Sequence, residues 1–415
     1  MLVPARRRAA LAGLAALLVL AGCSRPARQA APPLPSAFVI GLLTAGPGAG
    51  AGRDAVRGAQ LAVEIVNGDH PDLALPLAPG LGLAGGVPLS VSIADTKGDA
   101  AAAQGEATRL YREVHAVGLV AADSTTVAAA VSQQTERYPL PLVDAGTSAD
   151  RLTETGLEWY FRTGPSDGML ARTTFALLRQ QQGDDMGTAH RLGLLQGSGT
   201  PDAAALSTVD QLAGEDGYQI VARLPIGGSA SDLADKLGQA HTDVVLAVVS
   251  TDQEAAVVAD VQPKLRTVPV LALGHGLGGL GAGAAGTRVL RTVGWSDDYG
   301  TRNPVARAVA KMYQDKFGGP MTDVAANTFT ATLTLAMAVD GAGSTDVRRI
   351  RETLRDLWVP ATKTIMPWDG VRFDASGQNE MAGGVVEQRG GSGFQVVYPR
   401  ELATVALSWR SPAGH

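Results

Sequence analysis

The stretch "VGLVAADSTTVAAAVS", residues 117–132, joins a short apolar run to a longer segment rich in alanine and hydroxyl residues. Residues 117–122 have the length and apolar content of a buried strand, and residues 125–138 have the length of a helix. Ser124 and Thr125 stand where the predicted strand gives way to the predicted helix. A strand followed directly by a helix is the repeating unit of a parallel sheet wrapped by helices, so this stretch predicts an α/β fold.

The same alternation extends in both directions along the chain. Toward the amino end, residues 38–44 and 87–93 predict strands, and residues 54–67 and 99–115 predict helices. Toward the carboxyl end, the later predicted strands are 140–145, 191–196, 219–224, 244–249, 268–273 and 289–295, the later predicted helices are 168–182, 203–216, 304–317, 323–340 and 345–357, and a strand-rich end covers 368–409. The rhythm restarts near residue 168, so we expect two sheets of similar construction.

Length and charge limit the organisation and the partners. Without residues 1–22 the chain has 393 residues, more than a single core usually holds, so two lobes are expected. The net charge of −5 includes five arginines and no acids before Phe38, which leaves about −10 on the body from Ser36 onward. That charge argues against a nucleic-acid partner. The hydrophobic content of 45% and the charged content of 18% are typical of a soluble α/β chain.

The amino end has the build of an export signal. Arg6, Arg7 and Arg8 precede an apolar run at 9–21, which is shorter than the roughly 20 residues of a spanning helix. Leu20-Ala21-Gly22-Cys23 then resembles a bacterial lipoprotein box, which implies lipidation of Cys23, cleavage after residue 22 and an anchor on the outer face of the cytoplasmic membrane. An ordinary signal peptide with an incidental cysteine is the alternative.

Residues 23–36 are rich in proline, alanine and arginine, and they predict a disordered tether. Cys23 is the single cysteine of the chain, so an internal disulfide is excluded.

The order of the elements and several strings resemble one family, the type 1 periplasmic binding proteins of the leucine/isoleucine/valine-binding kind, which are the solute receptors of ABC importers. The strings are "FVIGLLTAGPGAG" (38–50), "GRDAVRGAQLAVEIVN" (52–67), "VPLSVSIADTKGDAAAAQGEATRL" (87–110), the opening stretch, "PLPLVDAGTSADRLT" (139–153), "WYFRTGPSD" (159–167) and "MPWDGVRFDASGQNEM" (366–381). None is a catalytic signature, and their order and spacing carry the resemblance.

The resemblance implies a two-lobed fold, each lobe a mostly parallel sheet flanked by helices. The chain would cross between the lobes near residues 161–166, 294–299 and 366–370. Lobe 1 would then comprise 37–163 and 296–366, and lobe 2 would comprise 164–295 and 367–410. A ligand would lie between the lobes, which close on it.

Two loops of the first sheet are the candidate ligand site, because the carboxyl ends of parallel strands and the amino ends of the following helices share one edge. Serine and threonine at such points are also ordinary helix caps. The resemblance favours ligand binding: the matching loops hold the α-carboxylate of the ligand, which implies contacts from Ser124, Thr125, Thr147 and Ser148, and a backbone contact from Gly146.

The second lobe departs from the amino-acid receptors. They often carry an acid for the ligand ammonium after the strand that matches 268–273, and this chain has His275 there. The loop after the preceding predicted strand contains Thr251 and Asp252 in place of an aromatic-rich segment. Either Asp252 supplies the charge, or the ligand has no α-amine. His275 also fits a loop histidine that faces water.

Other features support a binding protein over an enzyme. The glycine loop at 45–52 matches neither a dinucleotide nor a P-loop pattern, and it predicts close backbone approach to the ligand cleft or a flexible turn. The six histidines show no metal-ligand spacing, and "QGSGT" and "GGSGF" miss the Gly-x-Ser-x-Gly elbow. We therefore predict no catalytic residue, no metal and no cofactor.

The predicted partners are a small polar ligand, an ABC transporter permease and the membrane through the lipid anchor, and we expect a monomer. A ligand-sensing receptor domain is the alternative function, and a hydrolase is a weaker one. The aromatic residues near the first two crossings, among them Trp159 and Trp295, would pack between the lobes or stack on a ligand.

Overall fold

The computed structural model describes residues 34–408, apart from 79, 185–189, 199–201, 250, 275–276, 278–279, 281–288, 302 and 391–392. The predicted signal segment and Cys23 lie outside the described residues, and so does His275.

A five-stranded parallel sheet forms the amino-terminal part, with the strand order β2-β1-β3-β4-β5. Its strands are β1 (Phe38–Thr44), β2 (Leu89–Asp95), β3 (Gly118–Ala121), β4 (Leu142–Asp144) and β5 (Tyr160–Arg162), and its helices are α1 (Gly50–Asn67), α2 (Ala100–Arg112), α3 (Thr125–Arg137) and the single turn α4 (Arg151–Glu154). The parallel order places the carboxyl ends of all five strands on one edge, which is the edge predicted for the ligand.

A seven-stranded sheet follows, with the order β14-β13-β10-β9-β8-β6-β7. Its parallel strands are β6 (Arg191–Gln196), β7 (Gln219–Pro225), β8 (Val244–Val249), β9 (Val270–Gly274) and β10 (Val289–Val293), and its helices are α5 (Asp167–Asp184), α6 (Asp202–Glu215), α7 (Ala230–Gln239) and α8 (Asp252–Val261). The last two strands, β13 (Val385–Arg389) and β14 (Phe394–Tyr398), pair antiparallel at one side. Thus two mostly parallel sheets are present, as predicted.

Three helices and a small ribbon lie between β10 and β13 in the chain. They are α9 (Pro304–Phe317), α10 (Asp323–Ala342), α11 (Val347–Arg355) and the antiparallel pair β11 (Trp358–Pro360) and β12 (Gly370–Arg372). The chain therefore leaves the seven-stranded sheet, returns to the first sheet, and comes back for its last two strands. The helix α10 is buried on most of its surface and packs against α1 and β3.

Glycine permits the close packing of α10. A Cβ on Gly58 of α1 would lie 2.2 Å from the carbonyl oxygen of Ala325, and a Cβ on Gly118 of β3 would lie 2.8 Å from the side chain of Leu335. Both distances are too short for any larger residue, so α10 can lie directly on its neighbours. Three hydroxyls of this helix donate to the preceding turn, as when Thr330 donates to the carbonyl of Ala326 at 2.9 Å.

Apolar clusters cover both faces of each sheet. For the first sheet, one cluster includes α1, α9 and α10 and another includes α2 and α3. For the second sheet, one includes α5 and α6 and another includes α7 and α8. The α/β fold with helix-flanked parallel sheets is thus confirmed. Among the described helices, none combines the length and apolar character needed to cross a membrane.

The observed bounds differ from the predicted ones mainly at strand ends. The strand predicted at 289–295 ends at Val293, because the chain turns there into the second predicted crossing. β5 and β11 were not predicted from the sequence. Each has three residues, which is too short a run to show alternating apolar and polar positions. The helix predicted at 54–67 begins earlier, at Gly50, where a Cβ on Gly52 would lie 2.0 Å from the carbonyl oxygen of Ala45. The close contact that requires glycine at position 52 therefore lies within the loop itself, and the predicted approach to the ligand cleft stays a prediction.

The three predicted crossings meet in space. A Cβ on Gly294 would lie 3.2 Å from the ring of Pro165, so the first two segments touch. The indole N–H of Trp368 donates to the carbonyl of Gly294 at 2.9 Å, which joins the third segment to the second. Gly377, at φ +83°, faces the carbonyl of Tyr160, from which a Cβ would lie only 2.1 Å. Glycine is required at this contact.

Candidate ligand-binding site

Hydrogen bonds between loops shape the carboxyl edge of the five-stranded sheet. The hydroxyl of Thr44 donates to the carbonyl of Ala122 at 2.9 Å, and the hydroxyl of Thr96 donates to the carboxylate of Asp123. Asp95 accepts from the N–H groups of Lys97 at 2.9 Å and of Gly46 at 3.0 Å, and these two bonds lower the pKa of Asp95. Carboxylates at this edge thus hold the loops by accepting hydrogen bonds from backbone N–H groups and hydroxyls.

The amino end of α3 carries the first predicted pair. Ser124 is exposed and caps α3, because its hydroxyl oxygen accepts the N–H of Val127 at 3.4 Å. The N–H of Ser124 itself donates to Asp123 at 2.6 Å. The side chain of Thr125 is buried, but first-turn N–H groups such as those of Thr125 and Thr126 lack intrahelical acceptors. This helix end therefore has backbone donors that could face an anion.

The loop between β4 and α4 carries the other three predicted residues, and Asp144 holds it. One carboxylate oxygen accepts the N–H of Gly146 at 2.8 Å and the N–H of Thr147 at 3.1 Å. The other accepts the hydroxyls of Thr147 and Tyr160, both at 2.7 Å. A Cβ on Gly146 would lie 2.5 Å from the backbone nitrogen of Asp123, so this loop presses against the approach to α3. The structure therefore brings the two predicted loops together.

Burial controls the charge of this loop. Asp144 has no exposed surface, and burial raises its pKa, against the hydrogen bonds from Tyr160, Thr147 and Gly146 and the positive charge of Arg162. Burial also raises the pKa of Tyr160 well above its usual range, and the nearby charge of Asp144 adds to the effect. Tyr160 therefore stays neutral at physiological pH and donates a hydrogen bond to the Asp144 carboxylate.

Ser148 faces the start of α5. Its carbonyl accepts the N–H of Asp167 at 2.7 Å, and its hydroxyl donates to the Asp167 carboxylate. Next to it, Asp150 accepts the N–H of Gly168 at 3.0 Å. The loop after β4 and the first turn of α5 are thus joined by three polar contacts, and the buried Asp167 brings an acid beside the predicted site.

Arg162 forms a second buried polar network next to Asp144. It has no exposed surface, and its guanidinium donates to Gln378 at 2.7 Å, to the Ala149 carbonyl at 2.6 Å and to the Thr153 hydroxyl at 3.1 Å. Asn379 continues this network by donating to the carbonyls of Thr163 and Gly370, at 2.9 and 3.0 Å. These bonds tie the third crossing to the first.

Asp323, in the first turn of α10, faces the seven-stranded sheet near the crossings. Although the residue keeps exposed surface, the protein atoms around its carboxyl group displace enough water to raise the pKa of Asp323 to about 6. The charge of Arg291 and a 3.0 Å hydrogen bond from Asn327 oppose that rise, and the charge of Glu387 adds to it. Arg291 and Glu387 form their own ion pair at 2.6 Å.

The edge of the seven-stranded sheet holds the remaining predicted residues. Thr251 is exposed and caps α8 by accepting the N–H of Glu254 at 3.2 Å. Glu254 also accepts the N–H and the hydroxyl of Ser198, both at 2.8 Å, so it fixes the loop after β6. Asp252 is the first residue of α8, and its side chain lies outside the described part of the structure, like His275. Among the described residues, no hydrogen bond joins Thr251 to the loops of the first sheet.

The aromatic residues near the crossings pack in the interior. Trp159 and Trp295 are buried, and Phe161 meets Phe373 edge to face at 5.1 Å between ring centroids. A small cavity between α10 and the β11–β12 ribbon shares no residue with the predicted loops, and its volume of about 10 Å³ suits a single water molecule, not a ligand. Among the described residues, no group of three or more histidine, cysteine or acidic side chains is placed to hold a metal.

Sequence reasoning missed the acids that organise the site, namely Asp144, Asp150 and Asp167. The spacing Asp-x-Gly-Thr in "DAGT" carries a usable signal, because an aspartate commonly accepts N–H groups two and three residues ahead in a tight turn. The predicted hydroxyls drew attention as possible ligand contacts, whereas those of Thr147 and Ser148 bond to carboxylates of the protein itself.

Known proteins share this architecture. The family model described as "Periplasmic binding protein" matches residues 39–392. A relative in Brucella abortus, the Leu/Ile/Val-binding protein homolog 7, is 24% identical over 378 residues, which cover 86% of this chain and 90% of the relative.

Solved structures with the same fold include an ABC transporter substrate-binding protein from Desulfitobacterium hafniense in complex with Leu, with a TM-score of 0.72, 19% identity and coverage of 86% of this chain and 99% of that one. A solute-binding protein from R. palustris in complex with benzoate gives a TM-score of 0.66 at 17% identity, with coverage of 87% and 95%. The chain belongs to the periplasmic binding protein family, and among its members it is similar to the Leu/Ile/Val-binding protein homologs.

Proposed function

We propose that the protein is an extracytoplasmic, lipid-anchored receptor that captures a small polar solute and delivers it to an ABC importer by lobe closure. The observation that supports this most is the close approach of Gly146 to Asp123, which brings the loop after β4 against the start of α3, where Ser124 is the cap. Helix-end N–H groups and hydroxyls at such an edge suit an anionic group of a ligand.

We retain lobe 1 as residues 37–163 and 296–366, and lobe 2 as residues 164–295 and 367–410. Sheet membership supports most of this division, since β1–β5 and α9–α11 lie with one sheet and β6–β10, β13 and β14 form the other. The exception is β12, which the division places in lobe 2 and which pairs with β11 of lobe 1. The predicted crossings also meet, because Gly294 packs against Pro165 and its carbonyl accepts a hydrogen bond from Trp368. This convergence supports closure of the lobes about that region. Closure on a ligand would shift the population toward the closed form.

The ligand class that we propose is an amino acid, an amide or a related metabolite. Asp167, which bonds to Ser148, supplies an acid for a ligand amine, a role for which Asp252 remains the other candidate. Thr251 and His275 would add contacts from lobe 2. A ligand with a carboxylate and no amine remains within the class, and the benzoate complex of a protein with this fold illustrates it.

Thermal shift of the full chain in detergent, screened against amino acids, amides and short peptides, tests the proposal. A stabilising ligand is expected, and the double variant Ser124→Ala, Ser148→Ala should lose most of that stabilisation. The matched control is Ser90→Ala, because Ser90 lies near the opposite edge of the sheet, where its hydroxyl donates to the Phe38 carbonyl at 3.3 Å. A ligand effect that survives the double variant would contradict the assignment of these loops.

The anchor has its own test. In cells, Cys23→Ala should move the protein from the membrane fraction to the soluble extracytoplasmic fraction, because the acyl chains would be lost. Unchanged membrane association would contradict lipidation at Cys23.

A further inference from the structure

The loop between α1 and β2 is apolar although it lies on the surface. Residues 73–94, which include most of this loop and most of β2, contain no charged side chain. Leu75 and Leu81 are buried in the apolar cluster that includes α1 and α10, whereas Leu83 keeps 77% of its surface exposed. A single exposed leucine is ordinary on a protein surface, but one that stands in a charge-free surface loop indicates a contact surface.

Asp340 of α10 fixes the backbone around Leu83. This buried carboxylate accepts the N–H of Leu83 at 2.9 Å and the N–H of Ala84 at 3.0 Å. The N–H of Gly86 donates to the carbonyl of Leu81 at 2.8 Å, which closes the turn. The loop therefore cannot fold back over its own leucine without breaking bonds to a buried carboxylate, which is costly.

The loop lies at the amino edge of the five-stranded sheet, which is the edge where the parallel strands begin. Asn67, the last residue of α1, exchanges two hydrogen bonds of 2.8 Å with the backbone of Leu89, at the start of β2. Beside it, the N–H of Phe38, the first residue of β1, donates to the carbonyl of Pro88 at 2.9 Å. The chain thus enters the first sheet next to the end of this loop.

That entry point limits how far the loop can be from the anchor. Cys23 precedes Phe38 by 15 residues, and a chain of that length spans at most about 50 Å when fully extended. With Cys23 held in a bilayer, the effective concentration of lipid at the loop is high. A few apolar side chains then suffice for a populated contact.

We propose that the loop at residues 73–88 rests on the bilayer that holds the anchor, with Leu83 inserted among the lipids. This inference rests on the proposed anchor at Cys23. The occupant is a lipid surface because the loop presents apolar side chains without a charged group, and the anchor brings the bilayer to the same edge of the sheet. The candidate ligand loops, at the opposite edge, then point away from the bilayer toward the solute.

Fluorescence quenching of the lipidated full chain in phosphatidylcholine vesicles is the first test. Cys23 is the single cysteine and would carry the acyl chains, so a bimane label on Gly82→Cys reports from one position, next to Leu83. The matched control is Gly48→Cys at the carboxyl edge, because both glycines are exposed and an added Cβ at either would have no atom within 4 Å. Nitroxide-labelled lipid should quench the label at position 82 about fivefold more than the label at position 48.

The second test concerns the leucine itself. In the Gly82→Cys chain, Leu83→Ser should lower the quenching about threefold, because the side chain that enters the lipid is lost. Ile93→Ser is the matched control, since Ile93 is also exposed but lies in β2, and its substitution should leave the quenching unchanged. The contact should also persist when the salt is raised from about 0.1 to 0.5 M, because salt weakens contacts between charges.

Equal quenching at positions 82 and 48, or quenching that is lost at high salt, would overturn the inference. Chemical cross-links between the position-82 cysteines of two chains, in place of quenching, would identify a second copy of the chain as the occupant and would also overturn it. Mass spectrometry of the same sample separates this inference from the proposed function. Acyl chains on Cys23 with equal quenching contradict the loop contact alone, whereas an unmodified Cys23 contradicts the anchor and this inference with it.

Discussion

Two buried charged residues are neighbours in the five-stranded sheet, but their hydrogen-bond partners lie at very different separations along the chain. Asp144, at the end of β4, is the register partner of Arg162, at the end of β5. The partners of Asp144 lie within 16 residues of it, whereas Arg162 bonds to Gln378, which follows it by 216 residues. The acid therefore orders one loop, and the base joins segments from distant parts of the chain.

The difference shows that buried charge has two uses in this fold. Neither group is compensated by a direct hydrogen bond to the other: the carboxylate accepts from neutral donors, and the guanidinium donates to neutral oxygens such as the Ala149 carbonyl. Their mutual attraction still opposes the rise of the Asp144 pKa that burial causes. The local partners of Asp144 fix the conformation of one loop, and the remote partner of Arg162 connects distant segments of the chain.

The largest effect is expected from Arg162→Met, which keeps the aliphatic length and removes the charge and all the donors. Gln378, Thr153 and the Ala149 carbonyl would each lose a buried donor, and Asp144 would lose its nearby positive charge. We expect the free energy of unfolding to fall by about 3–5 kcal/mol. Urea denaturation followed by circular dichroism measures it.

Arg151→Met is the matched control, because Arg151 is exposed and lies in the single-turn helix next to the same loop. Its substitution should change the free energy of unfolding by less than about 0.5 kcal/mol. If Arg162→Met lowered the free energy of unfolding by as little, the hydrogen bonds of Arg162 would not hold the crossings together. The proposed difference between Arg162 and Asp144 would then be wrong.

Tyr160→Phe tests the local network and should have a smaller effect. It removes one of two donors to an Asp144 oxygen, and Thr147 still occupies that oxygen. The expected loss in the free energy of unfolding is about 1–2 kcal/mol, with faster amide exchange confined to residues 144–150. Tyr138→Phe, at a hydroxyl bonded to the side chain of Arg112 near the surface, is the control. Exchange that spread to Gln378 and Asn379 would show that the two networks are one.

The smallest effect is expected from Asp323→Asn, which tests an exposed charge at the same region. The pKa of Asp323 is raised from 3.8 to about 6, so the folded chain holds this proton more tightly than the unfolded chain does. Stability should therefore be highest when the group is protonated and fall as the pH rises from about 4 through 6.

Asparagine cannot ionise, so the stability of the variant relative to the wild type should increase over that pH range. The increase should be less than about 1 kcal/mol, because the residue is exposed. Melting temperatures of both proteins between pH 4 and 8 measure this, with Asp315→Asn on the exposed face of α9 as the control. If the melting temperature of the wild type instead rose relative to that of the variant as the pH increased, the raised pKa of Asp323 would be contradicted.

Periodic segments of the sequence were predictable, and contacts between remote segments were not. β1, β6 and β8 have the predicted bounds, since a run of apolar residues bounded by polar ones determines a strand. Helix capping is the alternative to ligand binding for Ser124, and Ser124 does cap α3, because capping depends on neighbours in the chain. Its ligand binding stays a prediction.

The pairing of Arg162 with Gln378 leaves no periodic signal, and neither does the bond between Ser148 and Asp167. Both depend on how the sheets meet, which a local pattern does not contain. The predicted involvement of Thr251, Asp252 and His275 in ligand binding stays a prediction.

The 216-residue separation between Arg162 and Gln378 also affects how the chain can fold as it emerges. A chain that is synthesised from its amino end presents all five strands of the first sheet long before Gln378 and Asn379 arrive. Until then the Arg162 guanidinium lacks its Gln378 acceptor, and the first sheet lacks one of its buried partners. Because contacts of such long range form late, we expect any chain that ends before Gly370 to remain unfinished and prone to proteolysis at its first crossing.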